Sequence, residues 1–167
     1  MLGALCMPRF CRLCVCAYNL IMPYSYPGKL PRKSRFALRV GRSSAGLGLF
    51  AGEDIPRGAF VIEYFGALLA NEASEKKGGK YLFYINRHFT IDGSSRNNLA
   101  RYLNHACKPN GYAEQDGKRI FIYSRRRISK GEELTYNYGR AYTDEFIPKG
   151  GCACLYCKER RVRKRRA

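Results

Sequence analysis

A chain of 167 residues is long enough to bury a core of its own, and an apolar share of 46% excludes a disordered polymer. Lys and Arg number 31 against 13 Asp and Glu, a formal charge of +18 that points to an acidic partner: nucleic acid, a nucleoprotein or an anionic surface. No apolar run reaches the length of a membrane span, so no membrane partner is expected. The eight cysteines fall into an early set (Cys6, Cys11, Cys14, Cys16) and a late set (Cys107, Cys152, Cys154, Cys157). Pro8, Arg9 and Arg12 interrupt the apolar N-terminal stretch and make it a poor secretory leader, so the chain reads as intracellular, its cysteines reduced or on zinc.

In chain order, residues 1–30 read as an irregular or disordered N-terminal extension, with Cys11-x-x-Cys14 as half a zinc site at most. Alternation of Phe36, Leu38 and Val40 predicts a strand, and a Gly-rich turn follows at 43–48. The β-branched and aromatic run 59–65 is a strand that ends at Gly66. Residues 68–80 hold a short helix that Gly78-Gly79 stops. Runs 81–85 and 89–93 are short strands, and 99–103 supports only one or two helical turns. Asp116-Gly117 marks a hairpin whose return strand is 120–124, and 133–136 is a further short strand. Turns every 8–12 residues and little helix give a mainly β chain of several small sheets. The basic run from Lys158 repels itself, and residues 159–167 are expected to be a disordered tail.

Four blocks carry chemistry. Gly46-Leu47-Gly48 lets backbone pass close to a ligand, although in isolation a tight strand–strand turn is the better explanation. It lacks the third glycine and following helix of a dinucleotide fingerprint. Asn104-His105 holds one of the chain's two histidines and has no activated nucleophile beside it, so the imidazole reads as structural. Tyr136-Asn137-Tyr138 would serve cross-strand packing in any sheet. Cys152-x-Cys154-x-x-Cys157 is a strong metal signal, but it supplies three ligands where structural zinc takes four.

Together and in this order the blocks resemble the SET-domain protein-lysine methyltransferases, over roughly residues 36–158. The resemblance implies a β-clip-like fold of small sheets and short helices with a threaded, pseudoknot-like C-terminal segment, an exception to unknotted topology. It divides the chain into a SET domain at 36–140 and a post-SET zinc segment at 141–158. It implies S-adenosylmethionine as methyl donor, held by Gly46, Leu47, Gly48, Tyr81, Arg101, Asn104 and His105. It names Tyr138 as the essential active-site tyrosine, Tyr64 as a channel wall and Tyr136 as the Phe/Tyr switch that limits product to mono- or dimethyllysine. Cys107 becomes the fourth ligand of one structural zinc, with Cys152, Cys154 and Cys157.

The implied substrate is a histone or another basic, DNA-associated protein. The implied place is nucleus or chromatin in a eukaryotic or host setting, and cytoplasm otherwise. Lys158–Arg166 is a candidate nucleic-acid contact. A different class of reading is a SET-like zinc module without catalysis that binds nucleic acid or chromatin. The chain departs from the family pattern at four places: Leu47 for Trp, Ala106 for Ser, Asn137 for Asp, and CxCx2C for the usual CxCx4C.

Overall fold

Alternating apolar residues and turn chemistry sort the chain into ten strands and three α-helices within residues 32–147 and 151–166, which the computed structural model describes. The N-terminal extension and its Cys11–Cys14 pair lie outside the described residues. Among the described residues, no helix is long and apolar enough to cross a membrane.

Three small sheets carry the fold. The first has the order β1 (Leu38–Ser43), β2 (Gly46–Ala51), β10 (Glu133–Tyr136) and β7 (Asn104–His105). The second is β3 (Phe60–Tyr64), β9 (Arg119–Ser124) and β8 (Gly111–Asp116). The third is β4 (Ala67–Ala70), β6 (Phe89–Asp92) and β5 (Leu82–Tyr84). All ladders are antiparallel except β7–β10. The inward residues of the sheets share one core, including Leu49, Val61, Ile91, Ile120, Ile122 and Leu134, each at most 2% exposed. Continuous burial of β3 follows from its apolar run, lying on the core with both faces covered.

Two local expectations change. The segment 43–48 is not a loop: β1 and β2 pair from Leu38↔Ala51 to Ser43↔Gly46, leaving only Ser44-Ala45 to turn, a two-residue hairpin. The segment 68–80 opens as strand β4, because Leu68 and Leu69 pair with Ile91 and Thr90, and turns helical only at α1 (Asn71–Lys77). Gly78 ends that helix as the sequence suggests, its N–H donating to the Ser74 carbonyl.

The basic C-terminal run also differs from its expectation. Residues Leu155–Arg166 form helix α3, not a disordered tail. Its start is tied down: Cys157 Sγ lies 3.5 Å from Cys107 Sγ, and Arg161 Nη2 donates to the Cys152 carbonyl at 2.8 Å. Those anchors, with the good helix propensity of Lys and Arg, offset the repulsion between like charges three and four residues apart.

Candidate active site and cysteine cluster

The parallel pair β7–β10 is the seam of the site. Thr135 lies opposite Asn104 and Tyr136 opposite His105, and the Ala106 N–H donates to the Tyr136 carbonyl at 3.1 Å. Upstream, a 3-10 turn at Leu99–Tyr102 buries Ala100 and Leu103 and so fixes the angle at which Asn104 enters the sheet. β2 flanks β10 on the other side. Asn104 Nδ2 therefore reaches both the Leu47 carbonyl, at 3.0 Å, and Glu133 Oε1, at 2.7 Å. One side chain thus links three strands that are far apart in sequence.

The glycines act beside this link. A Cβ at Gly48 would sit 2.5 Å from Glu133 Oε1 and 2.9 Å from Ser43 Cβ, so glycine leaves room for the carboxylate that holds Asn104. Gly46 has φ +110°, a conformation that side chains rarely adopt. Neither glycine lines the cavity next to them; Leu47 does, and it is 53% exposed.

That cavity, of about 960 Å³, lies at the upper end of the range for small-molecule sites. Leu47, Tyr64, Tyr81, Arg101, Asn104, His105, Tyr136 and Tyr138 all line it, so eight of the residues singled out in the sequence come together. The Arg101 guanidinium stacks over the Tyr81 ring at 4.1 Å, and its Nε is buried without a hydrogen-bond partner. An orphaned cationic donor in a cavity wall is suited to an anionic ligand group.

Aromatic rings form the other wall. Tyr136 and Tyr138 have centroids 4.8 Å apart, Tyr138 and Tyr142 4.7 Å, and Tyr142 and Phe146 4.6 Å. Phe83 stacks on Tyr136 at 6.4 Å and meets Tyr64 at 5.5 Å. The Tyr138 hydroxyl donates to the Leu103 carbonyl at 2.6 Å, and the Tyr64 hydroxyl to the Tyr81 carbonyl at 2.7 Å. Both hydroxyl hydrogens are thereby used, which leaves the oxygen lone pairs as acceptors.

Burial, and then the neighbouring ionisable groups, push the Tyr64, Tyr136 and Tyr138 hydroxyls above the ordinary phenol range. All three stay neutral near pH 7. Burial likewise lowers the His105 imidazole, whose Nδ1 accepts the Tyr138 N–H at 3.3 Å. His105 Nε2 also lies 3.4 Å from Cys107 Sγ, so the ring links the Tyr138 backbone to the cysteine cluster.

Tyr142, Phe146, Phe83 and Glu133 belong to the site but were missed in the sequence. Tyr142 and Phe146 stand on α2 (Arg140–Phe146) at i, i+4 spacing, which could have been read as one helical face. Phe83 and Glu133 gave no signal of their own. Asn110, 2% exposed, was read only as a turn residue. It accepts the Thr135 N–H and donates to the Glu133 carbonyl, which ties β10 to the start of β8. Asn137 accepts the Gly139 N–H through Oδ1 at 2.9 Å, so the turn into α2 retains the acceptor that an Asp would offer.

The sulfurs of Cys107, Cys152, Cys154 and Cys157 all lie within 4.8 Å of one another, with Cys107–Cys157 at 3.5 Å and Cys107–Cys152 at 3.9 Å. Four thiolates at about 2.3 Å from a tetrahedral zinc stand about 3.8 Å apart, so the set fits that ion. Burial opposes the Cys154 thiolate, but hydrogen bonds from the backbone of Cys107 and Cys157 and from neighbouring thiols bring its pKa to about 7. Cys152 and Cys154 also line the aromatic cavity, and the Ser44 hydroxyl donates to the Ala153 carbonyl at 2.9 Å. The cluster thus fastens the C-terminal segment against the β1–β2 hairpin.

A family model for the SET domain matches residues 46–139. The chain is 39% identical over 121 residues to histone-lysine N-methyltransferase trithorax of Drosophila virilis, covering 65% of this chain and 3% of that protein. It is 39% identical over 122 residues to histone-lysine N-methyltransferase set-2 of Caenorhabditis elegans, covering 65% and 8%. It is 41% identical over 112 residues to histone-lysine N-methyltransferase 2D of Homo sapiens, covering 60% and 2%. The match therefore spans at most 8% of the length of these relatives.

Proposed function

The chain belongs to the SET-domain family, and from that premise we propose that it is an S-adenosylmethionine-dependent protein-lysine N-methyltransferase. The observation that carries this reading is that one cavity is lined by Leu47, Tyr81, Arg101, Asn104 and His105 together with Tyr64, Tyr136 and Tyr138. The first group suits a cofactor with an adenine, an amino acid and a carboxylate; Arg101, with its unpartnered Nε, is the natural partner of the carboxylate. Bound there, S-adenosylmethionine supplies an electrophilic methyl group on a sulfonium.

The aromatic side prepares the lysine. A free lysine has a pKa of about 10.4, and a neutral, apolar channel disfavours its charged form. Ring faces favour the sulfonium and the methylated ammonium by about 0.5–2 kcal/mol per contact. The acceptor oxygens of Tyr138 and Tyr64 hold the amine in line with the methyl, so catalysis is mostly orientation. Tyr136 occupies the volume that a third methyl would need, which limits the product mainly to mono- or dimethyllysine.

Cys107, Cys152, Cys154 and Cys157 hold one structural zinc, which fixes residues 151–157 as part of the channel wall. The substrate is a histone or another basic protein, which places the enzyme at chromatin in a eukaryotic or host nucleus. An intact tyrosine set favours this reading over a SET-like module without catalysis. The test is transfer of labelled methyl from S-adenosylmethionine to core histones, nucleosomes and a cell lysate, wild type beside Tyr138→Phe. A band labelled by the wild type and absent with the mutant supports the assignment. Failure of the wild type to bind the cofactor overturns it.

A further inference from the structure

Several cations on the sheets, their turns and α1 are paired with carboxylates. Arg126 pairs with Glu132, Arg127 with Asp54, Lys77 with Asp92 and Arg119 with the buried Glu63. Helix α3 is different. Lys158, Arg160, Arg163, Lys164 and Arg165 are exposed, and none of them makes an ion pair with an acidic side chain among the described residues. At about 100° per residue these five cover roughly 220° of the helix circumference, and the remaining face carries Leu155, Val162 and Glu159. The helix is not a loose tail: its start is held by Cys157 against Cys107 and by Arg161 on Cys152, and Lys108 lies over Tyr156 at 4.5 Å.

We propose that α3 is a binding element for the phosphate backbone of duplex DNA. A helix about 10–12 Å across fits a B-form major groove about 12 Å wide, and cations spread over more than half of its circumference can meet both groove walls. Two rival anionic surfaces fit less well. An interfacial helix needs a broad apolar face, whereas α3 exposes only Leu155 and Val162 as large apolar residues. A-form RNA offers a deep, narrow major groove that excludes a helix. Cys152 and Cys154 line the aromatic cavity and α3 begins at Leu155, so DNA held on α3 lies beside the lysine channel. A lysine on a DNA-bound protein would then be presented to that channel at high local concentration.

Five phosphate contacts predict a slope of log affinity on log salt of about −4.5, or roughly a 500-fold loss of affinity between 50 and 200 mM salt. The experiment is fluorescence anisotropy of a labelled 20-base-pair duplex with the zinc-loaded full chain at several salt concentrations. The comparison is a variant carrying Lys158→Gln, Arg160→Gln, Arg163→Gln, Lys164→Gln and Arg165→Gln. Expected is a loss of at least tenfold in affinity, with a slope shallower by about 4. A second variant, with the three arginines changed to Lys, keeps the slope if charge is what acts. Thermal melting and zinc content verify that both variants fold.

No binding by the wild type overturns the proposal, as does an unchanged slope in the five-site variant. Equal or tighter binding to duplex RNA, or to phosphatidylserine vesicles, overturns it as well. The assay reads no methyl transfer, so its outcome is separate from that of the enzymatic reading.

Discussion

Replacing Tyr138 with Phe removes one oxygen and leaves the ring in place. In the wild type that hydroxyl donates to the Leu103 carbonyl at 2.6 Å, while the ring packs between Tyr136 at 4.8 Å and Tyr142 at 4.7 Å. For stability, the change removes one neutral hydrogen bond, with a net cost of about 1 kcal/mol. For a domain of this size that is a fall of about 3 °C in melting temperature. For activity the cost is larger, because the oxygen is also an acceptor at the point where amine and methyl meet. Loss of one preorganised polar group at a reacting centre costs about 100- to 1,000-fold in rate.

The assay is single-turnover methyl transfer on a saturating histone substrate, alongside cofactor affinity by calorimetry and a thermal melt. The expected pattern is a small shift in melting temperature, cofactor affinity within threefold of wild type, and a rate reduced by at least 100-fold. A rate within threefold of wild type would refute the assignment of Tyr138. A rate loss matched by an equal loss of cofactor affinity would move its role from catalysis to binding.

Three further outcomes follow from the same geometry. Tyr136→Phe is expected to shift product toward di- and trimethyllysine, read by mass spectrometry of a methylated peptide; an unchanged distribution removes the volume argument. Cys107→Ser, which takes one of four sulfurs that lie within 4.8 Å, is expected to drop bound metal well below the one zinc per chain predicted for the wild type. Elemental analysis decides this, and a zinc-free wild type would end the four-cysteine site. Gly93→Ala places a Cβ 2.4 Å from Cζ and Oη of the buried Tyr64, so the ring must move and its bond to the Tyr81 carbonyl must break. About 1–3 kcal/mol of stability should be lost by chemical denaturation. Methyl transfer should fall with it, and full activity in this variant would show that Tyr64 is not a channel wall.

Much of the fold was legible because its strands are marked by periodicity and its turns by glycine. The alternation of Phe36, Leu38 and Val40, the Asp116-Gly117 turn and the apolar run into Tyr64 each mark a strand from nearby residues alone. The errors fell where tertiary contacts override local preference. Leu68 and Leu69 read as helix until Ile91 and Thr90 provide a ladder, and the cationic run from Lys158 reads as disordered until the cysteine cluster anchors the start of its helix. The β7–β10 pairing could not be derived from pattern at all, since two residues of strand carry no periodicity. The resemblance implied a threaded C-terminal segment but not this pairing, which only the structure shows.

The site shows the same division at the level of single residues. A motif points to candidate residues, and Tyr138, Asn104 and the late cysteines, which line the cavity or form the sulfur cluster, were singled out that way. It does not identify the residues that hold those in place, because their partners are distant in sequence. Glu133 is the clearest case: a glutamate in a Gly-Glu-Glu turn is unremarkable, yet its Oε1 fixes Asn104, and Gly48 must lack a side chain so that it can. Gly48 was singled out for backbone close to a cofactor, but its measured neighbours are Glu133 and Ser43. The structure gives Gly48 a packing reason that its motif does not contain. The glycine admits a carboxylate, the carboxylate aims an amide, and the amide joins the hairpin of β1 and β2 to the seam where the tyrosines stand.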